Sequence, residues 1–222
     1  MSGGLSEIQA RQSLWSAEAI FQSFVLSSDE LARALDRLAA EDALSLPLLS
    51  KPLRAYLLEE SAQLAYRPAR PMVGKDDKAV YQDFELCMSF TETSPFQTFA
   101  RALDRLTYAA LEGREGLVQP GFTYNDLIVQ RYEPGCAGIT PHRDHIAYEG
   151  LVSLVILAGE ADFLICADRA GSNERELASP EGSLLLMRGA GFADLTTRPF
   201  HLLRNVRSRR VSFGLRYDIR TP

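Results

Sequence analysis

Two hydrophobic periods divide the chain. Behind Ser94-Pro95, the residues Phe96, Phe99, Ala100, Leu103, Leu106 and Ala110 recur at three- and four-residue spacing, the mark of a helix with one buried stripe. Ser94 is a cap, Pro95 a first-turn residue and Gly113 a stop. Ser27 with Glu30 makes a capping-box signature that opens a helix over 30–40, and Pro52 opens another running to about residue 64. Trp15 and Phe21 read as packing aromatics on an earlier amphipathic helix. The stretch 79–88 alternates, with Val80, Gln82 and Phe84 on one face and Tyr81 and Asp83 on the other, and so reads as a strand. After Gln119-Pro120-Gly121 the period shortens to two. Strands are predicted over 125–132, 151–158, 162–167, 183–188, 200–203 and 209–218, with Gly and Pro between them. Helices first and many short strands second predict an α+β fold, a double-stranded β-helix (jelly roll) core with N-terminal helices packed on the major sheet. One domain is expected over 1–222, with 1–120 as mainly helical support and lid and 121–222 as the jelly-roll core.

Composition narrows the class. With 222 residues, 46% of them hydrophobic and 24% charged, the chain has an ordinary globular make-up sized for one large domain. Ser2, Gly3 and Gly4 suggest a loose start. No basic-then-apolar leader is visible at the N-terminus, and apolar runs such as 154–158 are far too short to cross a bilayer, so no membrane partner is expected. The three cysteines, Cys87, Cys136 and Cys166, are widely spaced and cannot all pair, which fits a reduced, cytoplasmic setting. The net charge of −5 argues against nucleic acid as the default partner, since phosphate-binding proteins are usually basic. A small molecule or a modified side chain is the favoured substrate. Arg204, Arg207 and Arg209 read as a solvated hairpin. Nothing in the pattern speaks to the oligomeric state.

The sharpest local signal is Gly138-Ile139-Thr140-Pro141-His142-Arg143-Asp144. In extended chain, residues two apart point to the same side, so His142 and Asp144 can present an imidazole and a carboxylate to one point. A second imidazole completes a 2-His-1-carboxylate face, which leaves positions open on Fe(II) for oxygen and a chelating co-substrate. Only two other histidines exist, His145 and His201. His201 lies on a strand that follows three intervening strands and can return to the same mouth, while His145 is expected to face away or lie at the rim. The last strand adds a separate argument. Arg210, Ser212, Gly214 and Arg216 share one face, and Val211, Phe213, Leu215 and Tyr217 share the other. With the apolar face under the helices, two arginines point inward, and a buried Arg requires an anion. A dicarboxylate suits it, because guanidinium grips carboxylate bidentately. Ile128, Gln130 and Tyr132 likewise share a face, and Gln130 and Tyr132 can hydrogen-bond the same anion.

Together these residues resemble the AlkB-like branch of the Fe(II)/2-oxoglutarate-dependent dioxygenases. The resemblance is carried by Gln130-Arg131-Tyr132-Glu133-Pro134-Gly135, Gly138-Ile139, His142-Arg143-Asp144, Phe200-His201 and Arg210-Val211-Ser212-Phe213-Gly214-Leu215-Arg216, within 125–218. It implies an enzyme that uses Fe(II), 2-oxoglutarate and molecular oxygen, coupling oxidative decarboxylation of 2-oxoglutarate to hydroxylation or oxidative demethylation of an organic substrate. It implies metal on His142, Asp144 and His201, and Arg210 on the distal carboxylate of 2-oxoglutarate. Arg216 would steady Asp144 or the proximal carboxylate, Tyr132 and Gln130 would hydrogen-bond the co-substrate, and Ser212 and Gly214 would keep the site open. The chain departs from the family at Ile146, where an acidic base-holding residue is expected, and in the 67–83 lid, which offers Tyr81 and little else. An alkylated nucleobase is therefore the alternative substrate. A cupin-like metal-binding or Zn-dependent hydrolytic module is the alternative class, although it has no use for two inward arginines.

Overall fold

Helix starts fall where the caps place them. The computed structural model describes residues 15–221; the expected loose start at Ser2, Gly3 and Gly4 lies outside them. Helix α1 is Ala17–Gln22, α2 Ser28–Glu41, α3 Lys51–Ser61 and α4 Pro95–Leu111. Ser27 and Glu30 form the full reciprocal capping box on α2, and Ser94 accepts from the Phe96 amide at the head of α4. Trp15 stacks on Tyr56 of α3 at 5.3 Å between ring centroids.

The strands are β1 Ala43–Pro47, β2 Arg67–Pro68, β3 Met72–Val73, β4 Val80–Asp83, β5 Glu85–Cys87, β6 Asp126–Tyr132 and β7 Gly138–His142, then β8 Tyr148–Ala158, β9 Asp162–Cys166, β10 Arg175–Glu176, β11 Ser183–Arg188, β12 Phe200–Arg204 and β13 Arg210–Asp218. They form two sheets. The major sheet has the order β1-β11-β8-β13-β6-β5-β2, and the minor sheet has the order β10-β9-β12-β7-β4-β3. This is the expected α+β jelly roll with helices on the major sheet. Leu127, Val129, Val155, Leu184, Phe213 and Leu215 face the helices and pack with Leu35, Leu53, Phe99 and Leu103. The opposite faces of the same strands, with Ile128, Leu154 and Ile156, meet Phe163, Ile165 and Leu203 of the minor sheet.

Two features differ from the sequence expectation. The stretch 79–88 is two strands, because the chain changes sheets at Phe84. Strand β4 pairs with β7 and β5 with β6, while the Phe84 ring goes inward against Tyr132 at 4.8 Å. Alternation reports only a local period, so it cannot show a change of partner. The first 120 residues are also less helical than expected. Strand β1 pairs with β11 from Ala43↔Met187 to Pro47↔Ser183 and closes one edge of the major sheet. Pro47 is tolerated there because an edge strand has a free side.

Phe213 ties the sheet to the helices. It is fully buried, with its ring 5.0 Å from Phe96 and 5.6 Å from Phe99 in edge-on contacts. Replacing Phe213 by Ala leaves a cavity at this junction, and the expected loss is about 3 to 5 kcal/mol of unfolding free energy, measured by urea denaturation.

Candidate active site

Strand β13 runs between β6 and β8 in the middle of the major sheet. Its antiparallel register sets Arg210 opposite Tyr132 and Ser212 opposite Gln130. Residues directly opposite share a side of the sheet, so all four face the space between the sheets. Gly214, next inward on β13, leaves no room for a side chain, since an added Cβ would stand 2.8 Å from Ile128 Cγ2. Across the gap, His142 at the end of β7 pairs with His201 on β12, and their ring centroids are 4.2 Å apart. Gly138 makes this pairing possible. Its φ is +77°, and a Cβ there would strike the Leu203 carbonyl.

Each donor is held by a second group. The Nδ1 of His142 lies 2.9 Å from the Thr140 carbonyl, which can only accept, so Nδ1 carries the proton and Nε2 keeps its lone pair. Phe163 stacks on the His201 ring at 5.7 Å. Asp144 Oδ2 lies 3.8 Å from His201 Nε2, and Oδ1 lies 3.3 Å from Arg216 Nε. Arg216 reaches Asp126 with Nη1 at 3.1 Å, and Arg198 donates to the Asp144 main-chain carbonyl.

Burial sets the charges. It drives the His142 pKa down to about 3, with His201 adding to the effect, and it lowers His201 too, so both imidazoles are neutral in the folded chain. Burial alone would raise the Asp144 pKa, but Arg216 and the two imidazoles outweigh it and hold the carboxyl below its usual range. Asp144 and Asp126 likewise overcome burial and hold Arg216 above its usual range.

Arg210 has no such compensation. Its side chain is almost wholly buried, and its Nε and Nη1 have no hydrogen-bond partner. Burial lowers its pKa to about 10. A guanidinium in this state lacks an anion, and the cavity before it is where one would sit. That cavity holds about 430 Å³ of empty space, its open mouth included, and is lined by Gln130, Tyr132, Ser212, Arg216 and all three of His142, Asp144 and His201.

All the site residues expected from sequence thus line one cavity. The exception is the one placed elsewhere: His145 is exposed, its Nδ1 accepting from the Ala147 amide. Among the described residues, no three His, Cys, Asp or Glu side chains stand in a ready-made ion-holding array. Adjacent donors on an ion at about 2.1 Å lie roughly 3 Å apart, so the 3.8 Å between Asp144 Oδ2 and His201 Nε2 must shorten for both to hold one ion. The donor chemistry, two neutral imidazoles and one ionised carboxylate beside an anion-deficient arginine, fits iron(II) with a dicarboxylate. Asp126 was missed in the sequence, although it is in phase with Ile128, Gln130 and Tyr132 on the inward face of β6. Phe163 and Arg198 carried no comparable signal.

No family profile matches the sequence, and no curated protein is significantly similar to it. Solved structures are similar in fold. A prolyl-4-hydroxylase from Pseudomonas putida aligns with a TM-score of 0.62 at 16% identity, over 85% of this chain and 98% of that one. A prolyl hydroxylase from Trichoplax adhaerens, in complex with a hypoxia inducible factor peptide fragment, aligns with a TM-score of 0.63 at 12% identity, over 86% and 90%. An oxidoreductase of the 2OG-Fe(II) oxygenase family from Burkholderia pseudomallei aligns with a TM-score of 0.58 at 15% identity, over 85% and 90%. At these identities the likeness is one of architecture, and the chain has the jelly-roll fold found in 2-oxoglutarate–Fe(II) oxygenases.

Proposed function

We propose that this chain is an Fe(II)- and 2-oxoglutarate-dependent oxygenase. The observation that carries the reading is the buried, partnerless Arg210 guanidinium in the same cavity as His142, Asp144 and His201. His142, Asp144 and His201 would hold the metal. Arg210 would take the distal carboxylate of 2-oxoglutarate, with Tyr132, Gln130 and Ser212 supplying further hydrogen bonds. Iron(II) with bound 2-oxoglutarate would supply the oxidising chemistry, insertion of one oxygen atom of O2 into a substrate C–H bond coupled to conversion of 2-oxoglutarate to succinate, which takes the other oxygen atom, and CO2. The protein's own residues do the rest. Thr140 fixes the His142 tautomer, and Asp126 holds Arg216, which holds Asp144. The apolar side chains Leu154, Ile156 and Phe163 keep the cavity dry.

Placement in the AlkB-like branch rests on the 130–144 and 210–216 motifs. A substrate other than a nucleobase is favoured, because the cleft outside the metal-ligand set offers no free aromatic pair. Phe84 is engaged with Tyr132, and Tyr148 lies against Arg216 at 5.0 Å.

The purified protein is expected to convert 2-oxoglutarate to succinate only with Fe(II), and His142→Ala to lower that turnover by more than about 100-fold; no succinate under any metal or substrate would sink the proposal. Arg210→Met separates function from stability. It is expected to abolish 2-oxoglutarate binding by calorimetry and yet to stabilise the ligand-free protein by at least about 1 kcal/mol, since an uncompensated buried charge gives way to an apolar chain. A less stable variant that still binds 2-oxoglutarate would contradict the role given to Arg210.

The acid response has a definite sign. An unfolded histidine takes up its proton near pH 6.5, whereas folded His142 stays neutral down to about 3. Below pH 6.5 the unfolded chain binds more protons, so stability falls as pH drops. The depressed Asp144 pKa adds stability that is lost only at lower pH, as the carboxyl protonates. Between about pH 7 and about pH 5 the melting temperature of the metal-free protein is therefore expected to fall, and to fall less in the His142→Asn/His201→Asn double variant. An equal fall in both would show that the imidazoles titrate normally.

A further inference from the structure

Asp144 is carried by the five-residue link 143–147 between β7 and β8. The hydrogen bonds that shape this link lie at its far end. The Ala147 amide donates to His145 Nδ1, the Tyr148 amide to the His145 carbonyl, and the Ile219 amide to the Ala147 carbonyl. None of these holds Asp144 itself. Among the described residues, the one hydrogen bond made by the Asp144 main chain comes from Arg198, whose Nη1 donates to its carbonyl.

Arg198 stands on a segment that is itself held fast. Arg188 of β11 donates twice to Thr197, from Nε to the carbonyl at 3.3 Å and from Nη2 to Oγ1 at 3.2 Å. Pro199 is buried, and its ring fixes its own φ and biases Arg198 towards extended backbone. His201 follows two residues later, paired with Ile165 of β9 on one side and His142 of β7 on the other. The segment that presents His201 therefore also carries the guanidinium that reaches the Asp144 loop. Asp144, Arg198 and His201 border a common void of about 190 Å³, together with Val152 and Met187, so packing alone does not fill the space between the two segments. Arg216 holds the Asp144 carboxylate from the major sheet, and Arg198 holds its main chain from the His201 side.

We propose that Arg198 is a positioning residue of the metal site, tying the main chain of Asp144 to the segment that presents His201 so that both side chains can reach one ion. This role rests on the oxygenase reading only in taking His142, Asp144 and His201 as metal ligands. Arg198 does not border the cavity in front of Arg210, so it acts through Asp144 and not on 2-oxoglutarate. Charge and position predict opposite signs. A guanidinium repels a nearby dication, so by charge alone the loss of Arg198 would tighten metal binding. By position its loss weakens binding, and removal of a group that orients a metal ligand typically costs about 10- to 100-fold.

The test is Co(II) binding to the full metal-free chain, followed by calorimetry and by the visible absorption of the bound ion. In Arg198→Met the affinity is expected to fall at least about tenfold, with altered absorption bands as the Asp144 carboxylate loses its place. Arg198→Lys, which keeps a donor on a long stem, is expected to recover part of both. Arg143→Gln removes a charge beside Asp144 in the sequence without breaking the bond to its carbonyl, and is expected not to weaken binding. In an Asp144→Ala background no carboxylate remains to be placed, and Arg198→Met is expected to add little further loss. Unchanged or tighter Co(II) binding in Arg198→Met overturns the proposal. So does an equal loss with and without the Asp144 carboxylate, which would mark Arg198 as a general support of the fold. If His142→Ala binds Co(II) as tightly as the unaltered chain, the metal-ligand reading fails and the role of Arg198 with it. If His142→Ala abolishes binding while Arg198→Met does not weaken it, the role of Arg198 alone fails.

Discussion

Burial of two guanidiniums on the inner face of β13 is the constraint around which the rest is arranged. A cation moved from water into a protein interior costs several kcal/mol unless an anion meets it. Arg216 is met twice, by Asp126 from β6 and by Asp144 from the loop after β7. This link joins the major sheet to the loop that leaves the minor sheet, so the distance between the sheets and the position of Asp144 are set together. Arg210, six residues earlier on the same face, is met by nothing, and the cavity lies in front of it.

The uncompensated charge is tolerated because the other face of the strand is strongly stabilising. Val211, Phe213 and Leu215 are buried against the helices, with Phe213 inside an aromatic cluster. One strand therefore separates two tasks by its two-residue period: odd positions hold the fold and even positions prepare the site. On β13, the rules a core normally obeys, that polar groups are satisfied and charges paired, are broken on the inner face, at Arg210. Such local violations are characteristic of binding and catalytic sites.

Much of this was legible in the sequence. Capping residues located the helices, alternation located most strands, and the inward phase of Gln130, Tyr132, Arg210, Ser212 and Arg216 followed from strand period alone. Period and capping are local properties, encoded within a few residues. What only the tertiary structure decided was register and partner: Arg210 opposite Tyr132, His142 opposite His201, and the change of sheet at Phe84. Those pairings depend on contacts between residues far apart in the chain, on the close approach that Gly138 permits, and on which carboxylates reach which guanidinium. Asp126 looked like an ordinary strand start until folding set it against Arg216. Arg210 became informative only when folding left it with no partner at all.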